Sequence, residues 1–260
     1  MTSIFEREEF NASLFFPRPD ASEPPADAID RFVEVPDAQI HVRCHAPAGA
    51  RCTLLLFHGN GEVVADYDDA VERFAAAGAA LAIADFRGYG RSTGEPTLRT
   101  LVSDARTIAA AVPGAPLIVM GRSLGGVAAH ELFAHPTERL AGVVLESAFF
   151  DLANLIRRRG LTPPAAFTAD ELAAFDPAPK LARGQLPVLF LHGARDATIE
   201  ASEAIAAHAA ATATADRELV LVPRRGHNDL SGSDVYWDAL RGFIDRVVRA
   251  AERDPGSVAR

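Results

Sequence analysis

The sequence predicts an α/β domain: a mostly parallel sheet with helices on both faces and a short lid inserted late in the chain. Three observations predict it. From Thr53 onward, short apolar runs alternate with helix-patterned stretches, the rhythm of strand–helix–strand units. The apolar runs are continuous, as in Thr53-Leu54-Leu55-Leu56-Phe57, which suits strands buried on both faces. One interval, 148–185, breaks the rhythm and is too long for a simple connection, as lids over active sites often are.

Residues 1–30 mix apolar positions (Phe5, Phe10, Leu14, Phe15, Phe16) with a Pro/Asp/Ala-rich stretch. They read as an irregular N-terminal arm docked through its aromatics, ahead of the main domain at 31–260. Phe32 to Val35 and Gln39 to Arg43 alternate with period two around Pro36-Asp37-Ala38, which predicts a hairpin supplying an antiparallel edge. Further strands are expected at 53–57, 79–84, 116–120, 141–146, 187–191 and 218–222. Helices are expected at 66–77 (closed by Gly78), 97–112 (closed by Pro113-Gly114), 124–134, 199–210 and 234–252. The lid interval carries Arg157-Arg158-Arg159, Pro163-Pro164 and Pro177-Ala178-Pro179, and one or two short helices are expected there.

Composition narrows the function. A net charge of −9 argues against a nucleic-acid or anionic-membrane surface. Lys180 is the only lysine, which together with the many alanines reads as compositional bias. No run approaches the ~18–20 apolar residues of a membrane span. The first twenty residues carry Glu6, Glu8 and Glu9 where a signal peptide would carry base, so a cytoplasmic location is expected. Two cysteines, Cys44 and Cys52, are too few for a disulfide framework and read as free thiols.

The chemistry gathers at Leu117-Ile118-Val119-Met120-Gly121-Arg122-Ser123-Leu124-Gly125-Gly126. A strand pattern stops at a glycine, presents one serine and resumes as a helix. Such a turn holds its serine in unusual backbone geometry, and side chains at Gly121 or Gly125 would collide as strand and helix close together. A serine hydroxyl needs a base to take its proton and a carboxylate to fix that base's tautomer. Asp196, in the loop after the strand ending at Leu191, and His227, after the strand ending at Val222, complete the order Ser, Asp, His. Glu146, ending another strand, remains an alternative acid. His58 and His192 each precede a glycine at a strand end and read as structural. His130 and His135 fall on or after the helix behind Ser123; His41, His45 and His208 carry no partner signal.

Acyl transfer also needs donors for a developing oxyanion. The backbone N–H of Leu124 is one candidate, and that of Asn60 in His58-Gly59-Asn60-Gly61 the other. Glu62 either anchors an amine-bearing substrate or caps the following helix. Phe15, Phe16, Leu152, Leu155 and Leu161 are candidate walls of an acyl pocket. No metal-ligand spacing, dinucleotide motif or phosphate loop is evident, so no cofactor is expected.

These residues resemble the alpha/beta-hydrolase superfamily, most nearly small bacterial members related to serine aminopeptidase-like and ABHD-type hydrolases. The resemblance rests on His58 to Gly61, Asp85-Phe86-Arg87-Gly88-Tyr89-Gly90-Arg91-Ser92, Gly121 to Gly126, His192-Gly193-Ala194-Arg195-Asp196, Gly226-His227, and Phe10 to Arg18 in the arm. It implies an alpha/beta-hydrolase fold with an eight-stranded sheet and a small insertion before the seventh strand. It also implies Ser123 as nucleophile, Asp196 as acid, His227 as base, and the amides of Asn60 and Leu124 as oxyanion hole. In such proteins Asp85 to Ser92 shapes the sheet's upper edge. The expected activity is that of a serine hydrolase on a small ester, with thioesters and amides as near neighbours. Two other readings are an aminopeptidase, resting on Glu62, and a non-catalytic binder of the same fold. The lid carries no recognisable substrate signature.

Overall fold

The apolar runs do form one sheet, and the way the chain threads it decides where the chemistry falls. In the computed structural model, which describes residues 3–114 and 116–253, eight strands run β1 (Ala28–Val35), β2 (Ala38–His45), β3 (Cys52–Phe57), β4 (Ala79–Ala84), β5 (Leu117–Arg122), β6 (Leu140–Glu146), β7 (Val188–Gly193) and β8 (Arg217–Val222). Their spatial order is β1-β2-β4-β3-β5-β6-β7-β8. The β1–β2 hairpin stands at one edge, and β2 pairs antiparallel with both neighbours; from β4 to β8 every pairing is parallel.

Helices cover both faces. Alternate β3 side chains divide between them: Leu55 and Phe57 join one apolar core, Leu54 and Leu56 the other. Under the first lie α1 (Glu8–Leu14), α3 (Leu98–Ala111), α4 (Gly126–Ala134), the lid helices α5 (Leu152–Arg158), α6 (Ala169–Phe175) and α7 (Pro177–Arg183), and α8 (Ala201–Ala210). Under the second lie α2 (Val71–Ala76) and α9 (Asp234–Arg253), which plants Tyr236, Trp237, Leu240, Phe243 and Ile244 on the sheet.

Several elements differ from expectation, each for a local reason. The 66–77 helix is a 3-10 segment (Val64–Ala70) followed by the shorter α2. The 199–210 helix starts at Ala201, because the amides of Thr198 and Ile199 are bonded to Asp196 at 2.8 and 2.9 Å. β1 begins at Ala28, ahead of the boundary drawn at 31. The lid holds three short helices instead of one or two. The arm is helical where an irregular segment was expected: a 3-10 turn at Ile4–Glu6 is capped by Ser3, and α1 opens with Glu8 and Glu9, favourable charges for a helix start. Its aromatics do dock. Phe5 packs edge-on to Phe10 at 5.3 Å between centroids and meets Phe175 and Phe167 of the lid segment at 4.7 and 6.0 Å.

Among the described residues no helix is long and apolar enough to cross a membrane. Both cysteines are free; burial pushes the Cys52 thiol up to about 11.

Candidate active site

β3 pairs with β4 on one side and β5 on the other, so the chain reverses its direction of travel across the sheet at β3. Loops leaving the carboxyl ends of β3 and β5 part there and open a crevice, the usual place for a site in an open parallel sheet. Phe57 and Gly121 are register partners at those ends, which brings His58–Glu62 alongside Arg122–Gly126.

Ser123 occupies the turn between β5 and a 3-10 start to α4, with φ of 50°. For a residue with a Cβ that left-handed conformation costs on the order of 1–3 kcal/mol, and it is imposed by close packing on either side. A Cβ on Gly125 would sit 2.0 Å from the Phe57 carbonyl oxygen, and one on Gly121 2.6 Å from Ala129 Cβ. Neither position tolerates a side chain, as the motif predicts.

The structure brings Ser123, Asp196 and His227 together. His227 Nε2 lies 2.9 Å from Ser123 Oγ, placed to accept its proton, and His227 Nδ1 donates to Asp196 Oδ2 at 2.7 Å. Burial raises the Asp196 pKa, but bonds from His192, His227 and the Ile199 amide outweigh it and hold the carboxyl well below the usual range. Asp196 therefore presents a fixed negative charge to the imidazole. The alternative acid, Glu146, bonds other groups than His227: it takes the Tyr236 hydroxyl at 2.8 Å and Arg122 Nε at 3.2 Å.

A narrow cavity of about 40 Å³ opens on Ser123 and is lined by Leu14, Asn60, Leu124, Phe149, Leu155, Arg158, Arg159, Thr198 and Ile199. Both residues proposed to donate backbone N–H groups are on its wall. The Asn60 side chain is occupied elsewhere, donating to the Leu14 carbonyl at 2.6 Å and accepting from Phe16 N–H at 3.0 Å and Tyr89 OH at 2.6 Å. It thereby ties the arm to the β3 loop.

Of the expected acyl-pocket walls, only Leu155 lines this cavity. Phe15 and Leu152 turn into the apolar core, Leu161 packs against that core, and Phe16 is 54% exposed. Glu62 also lies elsewhere. Its carboxylate accepts Gly59 N–H at 2.6 Å and Tyr67 OH at 2.7 Å and pairs with Arg122, so most of its acceptor capacity is taken within the protein. Arg122 in turn reaches Asn228 Oδ1 at 2.8 Å, linking the residue before Ser123 to the residue after His227. This network lines a second, larger cavity of about 390 Å³ with Tyr67, Phe74, Tyr236 and Trp237.

The remaining histidines are mostly structural. His58 donates from Nδ1 to the Gly59 carbonyl at 2.7 Å, and His192 from Nε2 to the Ile199 carbonyl at 2.8 Å, both fastening turns at strand ends. His41 has a partner that no local pattern announced: it lies 2.9 Å from Asp85, itself buried and pushed up by that burial, yet held down to about 2 by bonds from His41 and His58. Asp85 also accepts Val64 N–H at 3.0 Å, so the motif that begins there joins β2, β3 and β4 at the sheet's upper edge. His130 is fully buried in α4 and burial pushes it down to about 3, while His135 bonds Glu131.

Sequence reading missed Arg158, Arg159, Thr198 and Ile199 as cavity walls. The arginine run was visible, but charge runs ordinarily mark solvated faces, and nothing local says which two of three turn inward.

The strand order, the strained serine turn and the Ser–His–Asp contact define an alpha/beta hydrolase. Residues 48–178, about half of the chain, match the family described as "Serine aminopeptidase, S33", and the chain belongs to that family. It is similar to protein bem46 of Schizosaccharomyces pombe, with 27% identity over 218 residues, 80% of this chain and 72% of that one. It is also similar to the alpha/beta hydrolase domain-containing protein aho-3 of Caenorhabditis elegans, with 32% identity over 175 residues, 64% of this chain but only 49% of the relative. Among solved structures, the Pyrococcus furiosus esterase Pf2001 superposes with a TM-score of 0.70 at 17% identity, covering 90% of this chain and 99% of that one. Est1E from Butyrivibrio proteoclasticus gives 0.67 at 16%, covering 85% and 99%. At such identities the likeness is one of fold.

Proposed function

We propose that the chain is a serine hydrolase cleaving a carboxylic ester, or a thioester or amide of similar shape, through an acyl-enzyme. The observation that carries the reading is His227 bridging Ser123 and Asp196 at 2.9 and 2.7 Å, with Ser123 held in a strained turn. Ser123 Oγ attacks the substrate carbonyl carbon as His227 Nε2 takes its proton. Asp196 keeps Nδ1 protonated and stabilises the imidazolium. The amides of Asn60 and Leu124 receive the oxyanion, each contributing about 3–4 kcal/mol where such donors have been removed in other enzymes. Collapse breaks the bond to the leaving group, which departs with the proton from His227. Water, deprotonated by the same histidine, then attacks the acyl-enzyme and returns Ser123 to its starting state.

The aminopeptidase reading has less support, because Glu62 already bonds Arg122, Tyr67 and Gly59. A fluorophosphonate probe tests the proposal, followed by p-nitrophenyl esters of rising chain length. The wild type should label, Ser123→Ala and His227→Ala should not, and Ser123→Ala should lose about 10⁴-fold or more in kcat. An unlabelled wild type with no ester turnover would move the chain to the non-catalytic binding reading.

A further inference from the structure

At the end of α5 the three consecutive arginines part company. Arg157 stays in solvent, donating to Asn154 Oδ1 at 2.8 Å. Arg158 and Arg159 turn inward and line the cavity of Ser123, Asn60 and Leu124. Arg158 pairs through Nη2 with Glu203 of α8, whose carboxylate also accepts the amides of Phe150 and Asp151 at 2.8 and 3.1 Å. Its Nη1 is buried and has no hydrogen-bond partner, and neither has the buried Nε of Arg159. Among the described residues no carboxylate lies within ion-pair distance of Arg159. The wall beside Ser123 therefore holds two cations against one anion, in a chain whose net charge is −9.

Other buried or half-buried guanidiniums of this protein are well satisfied. Arg43 bonds Asp30, Asp68 and the Ser22 carbonyl, and Arg139 bonds the carbonyls of Ala109, Ala110, Gly114 and Val112. Both side chains are half-buried, so their charges are partly solvated, but unsatisfied buried donors such as Arg158 Nη1 and Arg159 Nε are rare enough that each calls for an explanation. The helix dipole explains the sign of charge at the end of α5 but not its direction, since solvent-facing Arg157 gains the same benefit. Burial, and then the Arg158 charge, press the Arg159 pKa below its ordinary value, as expected of a guanidinium awaiting an anion. A water in the cavity would satisfy a donor but not the charge.

We propose that Arg158 and Arg159 form an anion subsite beside Ser123, so that the substrate is an acyl compound carrying a carboxylate or phosphate close to its scissile carbonyl. This rests on the serine hydrolase reading and names its substrate class. Guanidiniums are suited to it, because their planar forks bind either oxyanion with two parallel N–H···O bonds. Both guanidiniums line the same cavity as Ser123, so the charge lies within a few bonds of the carbonyl.

The experiment compares kcat/KM for matched pairs. p-Nitrophenyl hemiglutarate is set against its uncharged glutaramate counterpart, and the acetyl ester of 2-hydroxyethyl phosphate against that of ethylene glycol. In the wild type at least one charged member should be favoured by about tenfold or more, and which pair shows it tells carboxylate from phosphate. The charged-to-neutral ratio should fall by about tenfold in Arg159→Ala and by less in Arg159→Lys, with melting temperatures confirming that both fold. A wild-type ratio of one or below for both pairs, or a ratio unmoved by Arg159→Ala, overturns the subsite. Calorimetric titration of glutarate and of inorganic phosphate reads it without turnover: heat in the wild type that is lost in Arg159→Ala supports it, and no heat with either anion counts against it. Fluorophosphonate labelling of the wild type and its loss in Ser123→Ala decide the nucleophile separately, so failure of the one reading is distinguishable from failure of the other.

Discussion

Arg122 stands at the end of β5 in a cavity of about 390 Å³, on the side covered by α2 and α9, where Glu62, Glu146 and Asn228 all bond its guanidinium. Arg158 and Arg159 line the cavity of Ser123, roughly a tenth of that size, where Arg158 pairs with Glu203 and, among the described residues, Arg159 has no carboxylate within ion-pair distance. The larger space is the saturated one. Its polar groups answer one another and hold the serine turn to the histidine loop, whereas the smaller space leaves donors and charge unanswered next to a serine. What marks a place for a ligand here is therefore unspent hydrogen-bonding capacity, and volume is a poor guide to it.

The largest test of that contrast is stability. Arg122→Ala removes the cation from a buried Glu146 and should cost about 3–5 kcal/mol in urea unfolding, as breaking a buried pair does. Arg159→Ala should cost under about 1 kcal/mol or stabilise, because it relieves a like-charge contact. Equal losses would erase the distinction.

The carboxylates of the two regions sharpen it through pH. Asp196 titrates below its unfolded value, so its contribution is whole above about pH 4 and is lost as the pH falls further. Glu146 is raised, first by burial, against the pull of Arg122; its contribution is whole below about pH 4 and is lost as the pH rises through the raised value. Relative to the wild type, Asp196→Asn should cost more at about pH 7 than at about pH 3, and Glu146→Gln less at about pH 7 than at about pH 3, each by on the order of 1 kcal/mol. Urea midpoints at the two pH values check the opposite signs.

The smallest effect belongs to Glu62→Gln. Glu62 is a quarter exposed, so its ion pair with Arg122 is partly screened, and the substitution should lower the urea midpoint by no more than about 1 kcal/mol. A loss as large as that of Arg122→Ala would place the weight of the network on Glu62 instead.

The alternation of strands and helices was legible because buried parallel strands are apolar on both faces and their helices close on glycine or proline. The positions of Ser123, Asp196 and His227 were legible because parallel strands deliver their following loops to one edge of the sheet. Side-chain direction within short segments was not. α1 and α5 each span seven residues, too few for a helical period to show, so the arm looked irregular and the inward turn of Arg158 and Arg159 had no pattern to announce it. Glu62 looked available to a substrate because its charged partner comes from a distant segment: Arg122 follows it by 60 residues.

The arm adds a matter of timing. Ser3 hydrogen-bonds Glu171, 168 positions later, and Phe5 rests on Phe167 and Phe175. At about 5–20 residues per second, a ribosome takes on the order of 10–30 s to make the chain between those partners. Through that interval Phe5 and Phe10 have each other but lack the lid against which they finally pack. This arm, made well before the lid, is thus fully seated only once the lid has followed.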